Sequence, residues 1–182
     1  MALVTVRPTK LDIAIADAIA AHTSPALEEA AETLTWAADE KLILALAAAG
    51  WLYVRVEKPS WRPMANHVLA VSIVSSLLPH LLKRIFDQQR PDRRTIAGHW
   101  RGIPFSGKPM DAFPSGHALH MGALASLAGL LPKTQRTFAL GVALGLSATR
   151  IVLLAHWVSD VAAGLALGAV TERLLRRLTL RT

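Results

Sequence analysis

The chain has no cysteine and few aromatic residues, and charge is scarce along much of its length. Without cysteine, the 182 residues can form neither disulfides nor thiolate metal sites. Charged residues make up 18% of the chain and hydrophobic residues 52%, and the mean hydropathy is +0.36. This apolar content is high for a soluble domain and indicates a membrane protein. The length predicts a single domain over residues 1–182.

Basic residues outnumber acidic ones, which gives a net charge of +7 and a pI near 10.6. A nucleic-acid-binding protein would gather such charge on one continuous surface. Here Lys and Arg instead stand at the ends of apolar runs, as they do in membrane proteins. We therefore predict no nucleic-acid partner and a lipid bilayer around the chain. The sequence makes no prediction of the oligomeric state.

Five apolar segments separated by charged turns predict an all-α integral membrane bundle of about five transmembrane helices. A crossing needs about 20 residues, or fewer where charged side chains at its ends reach the interface. The first segment is the shortest, and the sequence leaves open whether it crosses fully. The predicted spans are residues 42–56, 63–82, 112–132, 137–155 and 157–175. Abundant Ala and Gly in the last three favour close helix packing in lipid.

The residues before the first span have a different character. The stretch Leu11–Ala21 is short and is interrupted by Asp12 and Asp17, so we expect no signal peptide there. It predicts a helix that lies in the membrane interface. A further helix is predicted to begin at Pro25 after a Ser24 cap.

The distribution of Lys and Arg predicts how the bundle is oriented. With five spans, the N-terminus, the loop Lys83–Asp111 and the junction near His156 share one side. The opposite side carries nine Lys and Arg side chains, and the segment up to Lys41 carries three against seven acidic ones. The positive-inside rule then places the C-terminal end in the cytoplasm of the inner (plasma) membrane. The loop faces outward although it is basic, so its charges are predicted to have another purpose.

Three polar clusters fall on the predicted outer side. They are Lys83 with Arg90-Pro91, then Pro114-Ser115-Gly116-His117, then Arg150 with His156 and Asp160. Each cluster alone has an ordinary structural explanation, such as a cation at a helix end, a serine cap or an interfacial histidine. Their occurrence together, in this order and on one side, favours a functional site.

The third cluster suggests chemistry by its spacing. His156 and Asp160 are four residues apart, so on a helix they would share a face. A carboxylate there can hold one imidazole nitrogen while the other meets a substrate. Arg150 offers a planar fork of donors suited to phosphate. A continuous helix would separate Arg150 from His156 by about 9 Å along its axis, so we expect a break near His156.

The three clusters together resemble the motifs of the type 2 phosphatidic acid phosphatase (PAP2) superfamily, whose lipid phosphatases share an active site with vanadium haloperoxidases. The family pattern reads Lys-x6-Arg-Pro, then Pro-Ser-Gly-His, then Ser-Arg-x5-His-x3-Asp. The chain departs from it at Thr149, where the family usually has serine, and this leaves the charges unchanged. The resemblance covers about residues 83–160.

The resemblance implies catalytic roles for His156, His117 and Asp160. His156 would attack phosphorus and form a phosphohistidine, and Asp160 would fix its tautomer. His117 would protonate the leaving oxygen and then activate water. The phosphate-binding groups implied are the side chains of Lys83, Arg90 and Arg150 and the backbone amides of Ser115 and Gly116. Because three cations would balance the transition-state charge, neither a metal ion nor another cofactor is expected.

The leading hypothesis is an integral membrane phosphatase that acts on a lipid phosphate at the extracytoplasmic face. Phosphatidic acid, phosphatidylglycerol phosphate, polyprenyl diphosphates and lipid A phosphates all fit. We favour an isoprenoid diphosphate, such as undecaprenyl diphosphate, or a phosphatidyl phosphate. The alternatives are a vanadate-dependent haloperoxidase and a non-catalytic membrane binding protein of the same fold. Small size and apolar spans argue against the first, and the full set of catalytic residue types argues against the second.

Three other features have no assigned role. Residues 98–107 are rich in glycine and are predicted to be either a lid over the pocket or an anchor at the level of the lipid headgroups. His80 and His120 lie on predicted spans, where a structural role is favoured.

Overall fold

The computed structural model describes residues 3–91 and 109–180, and its described part is a helical bundle. The helices are α1 (Lys10–His22), α2 (Pro25–Thr35), α3 (Glu40–Glu57), α4 (Arg62–Ile85), α5 (Gly116–Leu127), α6 (Lys133–Val152) and α7 (Val158–Thr179). Short 3-10 turns at Trp36–Ala38, Pro59–Trp61 and Ala128–Leu130 adjoin α2, α4 and α5. Residues 98–107, predicted to be a lid or an anchor, lie outside the described residues.

Helices α3 to α7 occupy the positions of the five predicted spans, so the helical class is confirmed. Among the described residues, one helical stretch, Pro59–Ile85, is long and apolar enough to cross a membrane by length and composition, with a mean hydropathy of 1.5. The number of crossings therefore stays a prediction.

A small parallel strand pair was not predicted. Strand β1 (Val4–Thr5) lies beside β2 (Phe86–Asp87), directly after α4. Backbone hydrogen bonds from Leu3 to Ile85 and from Val6 to Asp87, at 2.9 and 2.8 Å, extend the pairing. Two-residue strands leave no alternating pattern to read in a sequence, because they consist of backbone contacts between distant segments. The pair fixes the N-terminal segment at the end of the bundle where α4 finishes.

Both N-terminal helices begin at a side-chain cap, and the sequence analysis predicted the second of the two. Ser24 caps α2 ahead of Pro25, as expected, and Thr9 caps α1 in a capping box with Asp12. The Asp12 carboxylate also accepts hydrogen bonds from the Ser159 amide and hydroxyl, at 2.9 and 2.8 Å. Burial would raise the pKa of Asp12, but the hydrogen bonds from Ser159 and Thr9 outweigh burial and lower it. The predicted N-terminal helix is thus present, and Asp12 docks it on the first turn of α7.

Glycines let α5 and α7 pack backbone against backbone. A Cβ added at Gly168 would overlap the backbone of Leu119, and one at Gly122 would overlap that of Leu165. A Cβ added at Gly164 would lie 2.6 Å from the Ser115 carbonyl oxygen. Close approach of this kind is how small residues associate helices in lipid. It confirms the expectation drawn from the glycine content.

We expect Gly168→Ala to destabilise the bundle, because the new methyl group meets backbone atoms of α5 that cannot move aside. Overpacking of this kind costs about 1–3 kcal/mol. Gly145→Ala is the matched control, since a Cβ at Gly145 meets nothing within 4 Å. Thermal unfolding in detergent measures both variants. Equal melting temperatures for the two would contradict the packing described here.

Candidate active site

The predicted site residues come together at one end of the bundle. They are contributed by the last turn of α4 and the segment after β2, the start of α5, the end of α6, the turn before α7, and the first turn of α7. In chain order these residues are Lys83, Arg90, Ser115, Gly116, His117, Arg150, His156 and Asp160. The convergence is a consequence of the helix order, because each cluster lies where a helix enters or leaves this end.

Two cations of the first cluster meet on a carboxylate that the sequence analysis missed. Lys83 Nζ lies 3.5 Å from Asp111 Oδ2. Arg90 donates from Nε and Nη2 to Asp111 Oδ1, at 2.9 and 2.7 Å. Arg90 Nη1 also donates to the Ala155 carbonyl at 3.0 Å, which ties the first cluster to the third. Lys83 and Arg90 therefore share one carboxylate, and their joint action on a phosphate stays a prediction.

Backbone pairing places Asp111 on the cations. The Gln88 amide donates to the Met110 carbonyl, and the Ala112 amide donates to the Gln88 carbonyl, both at 3.0 Å. The chain after β2 thus runs beside the chain before α5, and Arg90 faces Asp111. In the sequence, this contact is marked only by an acidic residue near the Pro-Ser-Gly-His motif. One acidic residue is too weak a signal to predict a contact between segments so far apart in the chain.

Arg150 is buried and reaches α2. Its Nη1 donates to Thr35 Oγ1 at 3.1 Å, and 2% of the residue is exposed. Ala31 of α2 packs on Leu153 and Ala155, which come after α6. Helix α2 therefore covers this side of the site, a contribution that the sequence analysis did not identify.

The expected break between the fourth and fifth spans is present. Helix α6 ends at Val152, and the amides of Ala155 and His156 both fold back to the Arg150 carbonyl, at 3.0 and 3.1 Å. Leu154 in this turn has a φ of 52°, a left-handed conformation that costs a non-glycine residue about 1–2 kcal/mol. The Leu154 side chain is buried in a cluster with Trp157, which offsets that cost. The tight turn brings His156 back towards Arg150.

His156 is held by a backbone carbonyl. Its Nδ1 lies 2.7 Å from the Ala112 carbonyl oxygen, and because a carbonyl can only accept, Nδ1 carries the proton. Nε2 is then the unprotonated nitrogen. Asp160 Oδ2 lies 3.6 Å from Nδ1, beyond hydrogen-bond distance. His156 precedes α7, which begins at Val158, so the two residues are not on one helix, but the Asp160 carboxyl group still lies beside the imidazole ring.

The surroundings keep the His156 ring neutral. Burial lowers the pKa of His156 well below its ordinary value, because the imidazolium would be poorly solvated. The positive charges of Arg90, Arg150 and Lys83 lower the pKa further, and His117 is close enough to contribute. A neutral imidazole with a free Nε2 lone pair has the form that a nucleophile requires.

Asp160 connects the parts of the site. Its Oδ2 accepts the Trp157 amide at 2.9 Å, which caps α7. Its backbone carbonyl accepts the Ser115 amide at 3.3 Å, which joins α7 to the start of α5. Trp157 Nε1 donates to the Gln89 carbonyl at 2.7 Å, next to Arg90. Asp160 therefore positions the backbone around His156 and places a carboxylate beside its ring.

The Pro-Ser-Gly-His motif forms the N-terminus of α5. Ser115 caps the helix through Oγ, which accepts the Ala118 amide at 3.4 Å, and a cis peptide joins Phe113 to Pro114 before it. Because the Ser115 amide is used by the Asp160 carbonyl, the amides of the helix N-terminus begin at Gly116. The half-buried His117 lies in the first turn.

The remaining described histidines lie in other contacts. His120 is buried on α5, and its Nε2 is 3.4 Å from Ser76 Oγ on α4. His80 is exposed on α4, where its Nδ1 donates to the Ser76 carbonyl at 2.8 Å. Within residues 3–91 and 109–180, His, Asp and Glu form no group of three or more that could hold a metal ion.

Comparison with known proteins identifies the class of membrane phosphatase to which the chain is related. The family model of the PAP2 superfamily matches residues 65–181. The chain belongs to this superfamily, and the resemblance read from its motifs is confirmed. The match includes all three polar clusters.

Two curated relatives are lipid A 1-phosphatases of rhizobia. The chain is 30% identical to the protein of Rhizobium etli over 91% of its own length and 78% of the relative's. This chain is also 38% identical to the protein of Rhizobium johnstonii. That match covers 60% of this chain and 45% of the relative. The chain thus spans less than half of one of these relatives and about four fifths of the other.

A solved structure shares the fold. The crystal structure of a transmembrane PAP2-type phosphatidylglycerolphosphate phosphatase from Bacillus subtilis has a TM-score of 0.73 to this chain. The superposition covers 92% of this chain and 84% of the Bacillus subtilis chain, and the two sequences are 23% identical. The two chains therefore share the fold of the helical bundle.

We expect Asp111→Asn to strengthen inhibition by vanadate, an anion that mimics five-coordinate phosphorus. The Asp111 carboxylate now competes with any anion for Lys83 and Arg90, and the amide would not. Removing the negative charge that now lies on both cations predicts an inhibition constant about tenfold lower. Steady-state inhibition assays measure it. A higher constant would instead mean that Asp111 is needed to hold the two cations in place.

Proposed function

We propose that this protein is an integral membrane phosphatase that hydrolyses a lipid phosphate through a phosphohistidine on His156, without a metal ion, at the extracytoplasmic face. The observation that supports it best is the buried His156 ring, whose Nδ1 is held by the Ala112 carbonyl at the same end of the bundle as three cationic side chains. A phosphoryl group carries dense negative charge through its transition state, so catalysis depends on positioning and on preorganised positive charge. Lys83, Arg90 and Arg150 supply that charge at one end of the bundle.

The first step transfers the phosphoryl group to the protein. His156 Nε2 attacks phosphorus, a P–N bond forms, and the bond from phosphorus to the leaving oxygen breaks. His117 gives its proton to that oxygen, so the lipid leaves as a neutral hydroxyl or as a monophosphate. The Ala112 carbonyl keeps the Nδ1 proton in place and partly balances the charge that develops on the ring.

The second step hydrolyses the phosphohistidine and regenerates the free enzyme. His117, now neutral, takes a proton from a water molecule, whose oxygen attacks phosphorus as the P–N bond breaks. Inorganic phosphate leaves, His156 regains its lone pair, and His117 is protonated again. Asp160 Oδ2, 3.6 Å from Nδ1, places an electronegative oxygen beside the ring of the intermediate. It acts as a positioning residue through Trp157 and Ser115.

The substrate that we place first is a lipid A 1-phosphate. It is the substrate named for the relative that matches 91% of this chain. The sequence analysis favoured an isoprenoid diphosphate or a phosphatidyl phosphate, and both remain candidates because they offer the same phosphate group on an apolar anchor. All of them would let the tail stay in lipid while the phosphate enters the cation cluster.

The same cluster could hold vanadate, so a haloperoxidase activity is the second candidate from the sequence. The phosphatase proposal is favoured because the named relatives are phosphatases. A non-catalytic binding role is disfavoured because every residue type of the catalytic motifs is present.

We expect His156→Ala to abolish turnover, by about four orders of magnitude or more, because no other group can form the phosphoryl-enzyme bond. His80→Ala is the matched control, as His80 is exposed and outside the cluster. His117→Ala should lower kcat by about 10²–10⁴ with little change in KM, because proton transfer is lost and binding is kept. Retention of substantial activity in pure His156→Ala protein would refute the assignment.

We expect phosphate release from tailed phosphates in the presence of EDTA, with a lower apparent KM than for glucose 6-phosphate. Each buried CH₂ group contributes about 0.8 kcal/mol, which detergent partitioning reduces in the assay. The panel contains lipid A, undecaprenyl diphosphate, phosphatidic acid and phosphatidylglycerol phosphate. Loss of activity with EDTA, restored by Mg²⁺, would show that the charge assignment is wrong. Equal efficiency on glucose 6-phosphate would argue against a lipid substrate.

Sidedness is tested with single cysteines, since the chain has none of its own. Glu29 lies on α2, which packs at the site end, and Gln135 lies at the far end in the first turn of α6; both are exposed. We expect an impermeant thiol reagent to label Glu29→Cys from outside intact spheroplasts and Gln135→Cys only after lysis. Labelling of both from the same side would contradict the proposed number of crossings.

A further inference from the structure

A cleft opens between α5, α6 and α7 at the end of the bundle away from His156. Its volume is about 400 Å³. Ala125 and Gly129 of the α5 side leave room for it, because they carry no bulky side chain, and a Cβ at Gly129 would meet nothing within 4 Å. Leu140 and Leu144 of α6 form its apolar wall, together with Leu165 and Ala169 of α7.

Three arginines line the same cleft. Arg136 comes from the first turn of α6, and Arg173 and Arg176 come from α7. Among the described residues, Arg136 and Arg173 form no ion pair with an acidic side chain. One end of the cleft is therefore cationic, while the rest of its lining is largely apolar.

A buried polar network holds Arg176 at the edge of the cleft. Glu172 is fully buried and accepts from Arg176 Nε and Nη2, both at 2.7 Å. Arg176 Nη2 also donates to the Ser126 carbonyl at 2.9 Å, and His67 Nε2 lies 3.1 Å from Glu172 Oε1. Glu172 neutralises one arginine, which leaves the charges of Arg136 and Arg173 for an anionic occupant.

We infer that this cleft binds an anionic phospholipid of the leaflet opposite the active site, with its headgroup phosphate at Arg136 and Arg173. An acyl chain would lie along Leu140, Leu144 and Leu165. Basic pockets between membrane helices bind anionic headgroups in this way. A soluble anion would leave the apolar wall uncovered, and a zwitterionic lipid would leave the two arginines uncompensated.

The cleft is separate from the catalytic cluster. Ser115 begins α5 and Gly129 lies just past its end, and a helix of that length spans about 20 Å. A lipid in this cleft is therefore not a substrate in position for His156. The inference rests on the proposed insertion of the bundle in a membrane, but it does not depend on the proposed catalytic step.

The test compares lipid binding with and without the two arginines. Purified protein in a neutral detergent is titrated with phosphatidylglycerol, with phosphatidylcholine or with soluble glycerol 3-phosphate, and the melting temperature and the lipid retained in native mass spectrometry are recorded. The test variant is Arg136→Gln with Arg173→Gln. The matched control is Lys133→Gln with Arg177→Gln, which removes the same charge from the same two helices outside the cleft lining.

We expect phosphatidylglycerol to raise the melting temperature and to be retained, whereas the other two ligands are not. Each lost arginine should weaken binding about fivefold, so the test variant should bind about 25-fold more weakly and the control should match the unmodified protein. Equal weakening in both variants, an equal effect of phosphatidylcholine, or stabilisation by glycerol 3-phosphate would overturn the inference. Phosphatase activity, measured on the same samples, reports separately on the proposed function.

Discussion

The close approach of α5 to α7 is the constraint on which the site depends. Gly164 lies against the carbonyl of Ser115, and the Ser115 amide bonds to the Asp160 carbonyl. Helices separated by ordinary side chains stand about 8–10 Å apart, and at that spacing this backbone bond could not form. The bond fixes the N-terminus of α5, with His117 in its first turn, beside the turn that carries His156. Packing in the middle of the bundle therefore sets the geometry of the chemistry at its end.

The buried arginines of the site must also be stabilised when no substrate is bound. Arg90 and Arg150 are almost fully buried, and isolated buried charges are expensive. Asp111 compensates Lys83 and Arg90, and Thr35 and the Ala155 carbonyl accept hydrogen bonds from the guanidinium groups. A phosphate that enters this cluster meets groups that are already oriented, so little reorganisation remains for the reaction itself. Burial lowers the pKa of His156, and the same positive charges lower it further.

Residue type and spacing were enough to predict one part of the site. Lys83, Arg90, His117, Arg150 and His156 were placed together because their three clusters fall on one predicted side of the bundle. The length of a continuous helix predicted the break before α7. Contacts between distant segments were missed, because no local pattern records them.

The missed groups are Asp111, Thr35 and the Ala112 carbonyl, which backbone pairing and the docking of α2 bring to the site. The turn that contains Leu154 places His156 before the start of α7, and Asp160 in the first turn of that helix still brings its carboxyl group to 3.6 Å from the His156 ring.

The central claim is that His156 becomes covalently phosphorylated. Rapid acid-free quenching of the enzyme during turnover of a ³²P-labelled lipid phosphate, followed by peptide mass spectrometry under alkaline conditions, tests it most directly. The account predicts an acid-labile phosphoramidate on the peptide that contains His156. Turnover without any protein-bound phosphate, or label on His117 in place of His156, would contradict the account.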